Sequence, residues 1–142
     1  AGLLAPEGVM GAITPGPSDL RDIDVGIDAA RQLGARDIGQ GVIVRNEFVV
    51  ERETEDGTDA MIARFAAAGP DKGGVLVKMK KPDQDRRIDL PAIGAATVEN
   101  AARAGLAGIA VEAGATLVLG LETLVEKANA EGLFVIGVAP RE

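Results

Sequence analysis

The most reactive side chains of this chain lie in one run, Lys78-Met-Lys-Lys81-Pro82-Asp-Gln84-Asp-Arg-Arg87-Ile-Asp89-Leu-Pro91-Ala-Ile-Gly94. The run follows an apolar, strand-like segment, Gly74-Val-Leu-Val77, so its cations, amide and carboxylates emerge where a buried strand meets solvent. The chain has no histidine and no cysteine. That removes imidazole bases, thiol nucleophiles and most zinc sites. Its single serine, Ser18, precedes a predicted helix and has no histidine to activate it. If the chain is an enzyme, carboxylates, lysines, arginines or a hard metal must do the work. An ordinary solvated loop carries similar charge, and the residues of the run alone leave both readings open.

Three other places carry groups of interest. Glu55-Asp-Gly57-Thr58-Asp59 sets a glycine and a hydroxyl at a helix N-terminus, where free N–H groups and the helix dipole favour an anion such as phosphate. The adjacent carboxylates would repel a bare phosphate but attract one carried with Mg²⁺. Equally, Thr58 reads as a simple N-cap. Gln40, between Gly39 and Gly41, and Glu112, at the end of an apolar strand, are positioned like ligand contacts, or else satisfy backbone groups and face solvent. Arg36, Asp37 and Glu131 read as surface.

Positioning these groups falls to an α/β order of elements. Residues 1–17 carry three Pro and four Gly with little periodicity and read as a linker. Ser18 is expected to cap a helix with Leu20, Ile23, Ile27 and Ala30 on its apolar face and Gly34 at its end. The stretches 41–45 and 48–52, joined by Asn46-Glu47, predict a β-hairpin. A helix over 60–68, a strand over 74–79 and a helix over 95–104 follow. The stretches 108–112 and 116–119, flanking Ala113-Gly114, predict a second hairpin or tight strand pair. A helix over 121–131 and a strand over 133–138 complete the order. Two connections are too short for crossovers, so the expectation is one α/β domain over 18–142 with a mixed sheet packed by helices.

With 142 residues, 46% of them hydrophobic, the chain can bury a core without disulfides. A net charge of −7, three Phe and no Trp or Tyr argue against nucleic acid. No apolar run approaches the roughly 20 residues that span a bilayer. The absence of cysteine fits a cytoplasmic location. The start at Ala1, with neither Met nor a basic leader, reads as that of a fragment or processed piece.

Several segments, in order, give the chain a family resemblance. They are Asp37-Ile-Gly39-Gln40-Gly41, Glu55-Asp-Gly57-Thr58-Asp59-Ala60-Met61, Gly74-Val-Leu-Val-Lys78, Lys81-Pro82-Asp-Gln84, Arg87-Ile-Asp89-Leu90-Pro91-Ala-Ile-Gly94, Ala104-Gly-Leu-Ala-Gly-Ile109 and Glu112-Ala-Gly114. Together they resemble the C-terminal half of the LpxI-type UDP-2,3-diacylglucosamine pyrophosphatases. The resemblance implies an enzyme of lipid A synthesis that uses Mg²⁺ and water to cleave UDP-2,3-diacylglucosamine into UMP and 2,3-diacylglucosamine 1-phosphate. It further implies a cytoplasmic protein in peripheral contact with the inner membrane, and a half separated from its partner domain is expected to form homo-oligomers through the exposed former interface. Residues 1–17 would then be the connection to the family's N-terminal domain, which is absent here.

Carried onto this chain, the resemblance implies catalytic roles for Asp89, Lys78 and Thr58. Asp89 would hold Mg²⁺ or orient water, Lys78 would neutralise phosphate, and Thr58 with its helix N-terminus would bind a phosphoryl oxygen. Lys81, Gln84, Arg87, Gly57, Gln40 and Glu112 would contact the nucleotide-sugar lipid. The rival reading is a non-catalytic α/β module that binds an anionic ligand or partner through the same run.

Overall fold

The computed structural model describes residues 3–69, 72–81 and 90–140. Its first long element, α1 (Pro17–Ala35), begins at a proline, whose fixed φ suits a helix start and whose missing N–H would have no helical partner there. Gly16 is the cap, and its N–H donates to the Asp19 carboxylate at 2.9 Å. Ser18 therefore stands in the first turn and is not the expected cap. Ile23, Ile27, Ala30 and Leu33 recur at helical spacing and bury one face against Val42, Val44, Val75 and Val77.

Gly26 lies where α1 meets the sheet, and a Cβ there would stand 2.5 Å from Val77 Cγ2. Gly26→Ala is expected to lose about 1–3 kcal/mol to overpacking, only partly offset by the ~1 kcal/mol that alanine gains in a helix. Urea unfolding measures this, and an unchanged midpoint would contradict the close approach.

Six strands form the main sheet in the order β2 (Gly8–Val9), β9 (Phe134–Val138), β7 (Gly108–Glu112), β5 (Val75–Lys78), β3 (Gly41–Arg45) and β4 (Phe48–Arg52). The three central strands β9, β7 and β5 are parallel, and β2, β3 and β4 pair antiparallel at the flanks. β3 and β4 form the predicted hairpin, with Asn46 at φ 53° and Glu47 at φ 67°, the left-handed pair that a two-residue turn needs. β5 is apolar on both sides because both of its faces are covered. Val75 and Val77 meet α1, while Leu76 enters the opposite core.

That opposite core is closed by α2 (Thr58–Ala67), α3 (Ala95–Arg103) and α4 (Leu121–Glu131), through Met61, Ile62, Phe65, Val98, Ala101, Leu124 and Ala128. A second, three-stranded sheet joins β1 (Leu3–Leu4), β8 (Leu117–Leu119) and β6 (Ala92–Gly94) in that order. Residues 108–112 and 116–119 are thus not the expected strand pair. Both edges of β7 are already taken, by β5 and β9, so β8 has no edge to join. The turn instead passes through Gly114 at φ 76°, with the Thr116 hydroxyl donating to the Glu112 carbonyl, and sends β8 to β1 and β6. The stretch 1–17 also carries β1 and β2, and Ala5 and Met10 are buried. The result is an α/β fold with mixed sheets and helices on both faces of the larger one.

Candidate active site

Lys78 closes β5, opposite Gly41 of β3 on one side and Val111 of β7 on the other. It sits at the carboxyl end of the parallel strands, where α/β sheets present their ligands. Only 8% of the residue is exposed, and its ammonium donates to the Ala92 carbonyl at 3.2 Å. Burial pushes the Lys78 pKa below its ordinary value, because the charged form loses water; the carboxylates of Glu53 and Asp59 pull it back up. The site thus holds a desolvated cation beside acids.

Glu53 follows β4 and is itself 8% exposed. Its N–H donates to the Gly41 carbonyl at 2.9 Å, which carries the hairpin ladder one step further. Its carboxylate accepts twice, from the Gln40 N–H at 2.6 Å and from the Thr58 hydroxyl at 2.5 Å. Gly39 makes room for it: a Cβ on Gly39 would lie 2.9 Å from Glu53 Cβ and 3.0 Å from Oε1. The Gln40 carbonyl in turn accepts from the Met79 N–H at 2.8 Å, one residue past Lys78. Glu53 therefore ties together the start of β3, the start of α2 and the end of β5.

Gly57, at φ 92°, is the cap residue of α2, and Thr58 is its first helical residue. The N-cap reading of Thr58 does not hold: its hydroxyl goes to Glu53, five residues back, and no side chain caps the first turn of α2. Asp59 accepts from the Asn100 side chain at 3.2 Å and so fixes that turn against α3. A groove of about 430 Å³ opens there between α2 and α3, lined by Asp59, Ile62, Ala66, Asn100 and Arg103 among others.

The chain leaving β5 is held from two sides. Glu112, at the end of β7, accepts the Lys80 N–H at 3.2 Å, and the Lys81 ammonium pairs with Asp37 at 3.0 Å. Asp37 does lie at the surface, with its side chain 75% exposed, yet it anchors the beginning of the charged run. Of the residues singled out in the sequence, Lys78, Thr58, Gly57 and Gln40 gather around Glu53, and Glu112 and Lys81 flank the exit of β5. Gln84, Arg87 and Asp89 lie outside the described residues.

Glu53 and Asn100 were missed by sequence reasoning, and Asp59 entered it only as one of the carboxylates beside Thr58. Glu53 stands in a stretch where acids recur (Glu51, Glu53, Glu55, Asp56), and nothing in that spacing separates the one buried acid from its solvated neighbours. The metal-ligand types near Lys78 are hard oxygens, the class that suits Mg²⁺. Among the described residues no three acidic side chains gather to hold a metal, and both Glu53 oxygens already accept hydrogen bonds.

Sequence comparison adds two findings. The family described as the LpxI C-terminal domain matches residues 6–136. The UDP-2,3-diacylglucosamine pyrophosphatase LpxI of Caulobacter vibrioides is 46% identical over 144 aligned positions, which cover 96% of this chain and 51% of that protein. The chain spans about half the length of the curated relative it matches.

Proposed function

The chain belongs to the LpxI C-terminal domain family, and from that premise we propose that it forms the C-terminal half of an enzyme that hydrolyses the pyrophosphate of UDP-2,3-diacylglucosamine. The observation that carries the reading is the desolvated Lys78 ammonium beside Glu53, Thr58 and the first turn of α2. Water adds across one P–O bond of the pyrophosphate, and the products are UMP and 2,3-diacylglucosamine 1-phosphate. Such a cleavage needs a cation against the developing phosphate charge, donors on the non-bridging oxygens and a positioned water.

Lys78 supplies the cation, and its burial makes that charge count for more than it would in water. The first-turn N–H groups of α2 donate to a phosphoryl oxygen, and Lys81, Gln84 and Arg87 bind the remaining anionic groups. Gln40, Gly57 and Glu112 shape the walls. Asp89 would hold Mg²⁺, an ion that commonly takes one or two carboxylates together with phosphate oxygens. When bound it would neutralise phosphate charge. No helix among the described residues is long and apolar enough to cross a membrane. We place the enzyme at the cytoplasmic side of the inner membrane in peripheral contact with its lipid substrate.

The relative's other half would complete the cleft, so the test uses an enzyme of full length carrying this chain. With Mg²⁺ it is expected to release UMP and 2,3-diacylglucosamine 1-phosphate in equal amounts, and EDTA should stop the release. Tight binding of the substrate in Mg²⁺ with no product would overturn the reading in favour of a non-catalytic binding module.

A further inference from the structure

We propose that Glu53 is a positioning residue of this site: by accepting the Thr58 hydroxyl's hydrogen bond it turns that oxygen's lone pairs toward the substrate side, as an acceptor for a bound water. The inference rests on the pyrophosphatase reading above for its kinetics, though not for its geometry. An ionised carboxylate can only accept, so the 2.5 Å contact uses the hydroxyl's one proton and leaves its oxygen to accept. The other Glu53 oxygen is held by the Gln40 N–H at 2.6 Å, and the Glu53 N–H by the Gly41 carbonyl at 2.9 Å. The acid is therefore clamped on both sides. It is 8% exposed, and Gly39 presses on it closely enough that an added Cβ would meet its side chain at 2.9 Å. The β3–β4 hairpin brings Gln40, thirteen residues before Glu53, beside it, and Thr58 lies five residues after.

An attacking water must be oriented, and an acceptor at fixed distance does this. Thr58 alone could rotate its hydroxyl to donate to a phosphoryl oxygen. With Glu53 in place it cannot. The phosphoryl oxygens are left to the ammonium of Lys78 and to the N–H groups of α2, and the roles divide cleanly between donors and acceptor.

Glu53→Gln tests this because it keeps size and shape while reversing the bond. The glutamine oxygen can still accept from Gln40, and its amide now donates to Thr58, which frees the hydroxyl proton to point outward. In the full-length enzyme kcat is expected to fall by about tenfold to a hundredfold, the usual effect of losing an outer partner of a site, with KM nearly unchanged. Thr58→Val should show a similar loss, Thr58→Ser should keep most activity, and the double variant Glu53→Gln with Thr58→Val should be no worse than either single change. Independent, multiplying losses would show that Glu53 does not act through Thr58. Wild-type kcat in folded Glu53→Gln would likewise overturn the proposal.

Gly39→Ala serves where Glu53→Gln does not fold. It displaces the carboxylate without removing its charge, and the same fall in kcat is expected; unchanged kcat would contradict the proposal. The geometry has its own readout in the 142-residue chain. The Gln40 amide proton, bonded to a carboxylate, should resonate downfield in the NMR spectrum and move upfield in Glu53→Gln. If full-length wild type releases no UMP, the pyrophosphatase reading fails and this amide alone decides the clamp: a shift supports it, and an unmoved resonance overturns it.

Discussion

Replacing Lys78 by alanine or methionine in the full-length enzyme is expected to slow UMP release by roughly 30-fold to 1000-fold, equivalent to about 2–4 kcal/mol of lost charge stabilisation. The two variants should part company in stability. Alanine leaves the Ala92 carbonyl without its 3.2 Å donor and opens space beside Met61 and Gly41, so it should cost about 1–3 kcal/mol. Methionine also leaves the Ala92 carbonyl without that donor, but it fills the same volume and removes a desolvated charge, so its stability should stay close to that of wild type. A variant that is as stable as wild type yet nearly inactive would mark Lys78 as kept for chemistry.

The pH dependence follows from the same burial. The folded pKa of Lys78 lies below the ordinary 10.5. Between those two values the unfolded chain holds a proton that the native chain has released, so stability rises with pH across that window. Lys78→Met removes this rise, which paired denaturant titrations at neutral and alkaline pH would measure. Near-normal turnover in either folded variant would remove Lys78 from the mechanism.

Asp89→Ala is expected to lower turnover at least about a hundredfold while substrate binding largely survives, as removal of a metal-holding or water-orienting carboxylate should. The motive is the segment Arg87-Ile-Asp89-Leu90-Pro91, which runs directly into β6. There Ala92, three residues on from Asp89, offers its carbonyl to the Lys78 ammonium. The hydrogen bond therefore joins Lys78 to the strand that Asp89 leads into. Calorimetric titration of the variant with substrate in Mg²⁺ separates binding from turnover. A folded Asp89→Ala enzyme of near-normal rate would return the role of the acid to another residue.

Local patterns were readable in the sequence, and their physical cause is local too. α1 shows its apolar stripe in Ile23, Ile27 and Ala30, the first hairpin announces itself in Asn46-Glu47 between apolar stretches, and β5 is a short apolar run after two glycines. The position of Lys78 at the end of that strand followed from the run alone. The three-residue strands β6 and β8 are too short to show a period, and what makes them strands is pairing with each other across more than twenty residues of sequence. The expected pairing of 108–112 with 116–119 failed for the same reason: proximity in sequence says nothing about which edges of β7 are already occupied. Glu53 was hidden because its meaning lies in partners on two other elements. Thr58 was singled out, as a phosphate contact or a simple cap, but its bond to Glu53 was not legible, since a hydroxyl at a helix start looks alike whether it bonds its own helix or a distant acid.

The central proposal is that this chain contributes the cation Lys78, the anion-binding start of α2 and Asp89 to a pyrophosphatase whose cleft is finished by the other half of the protein. UMP release from UDP-2,3-diacylglucosamine in Mg²⁺, measured for the 142-residue chain alone and for the chain joined to that other half, tests it most directly. The expected result is little or no release by the chain alone and full release by the joined protein. Release by the chain alone at the rate of the joined protein would contradict the claim by showing a complete site in this half, and no release by either would contradict it by showing none.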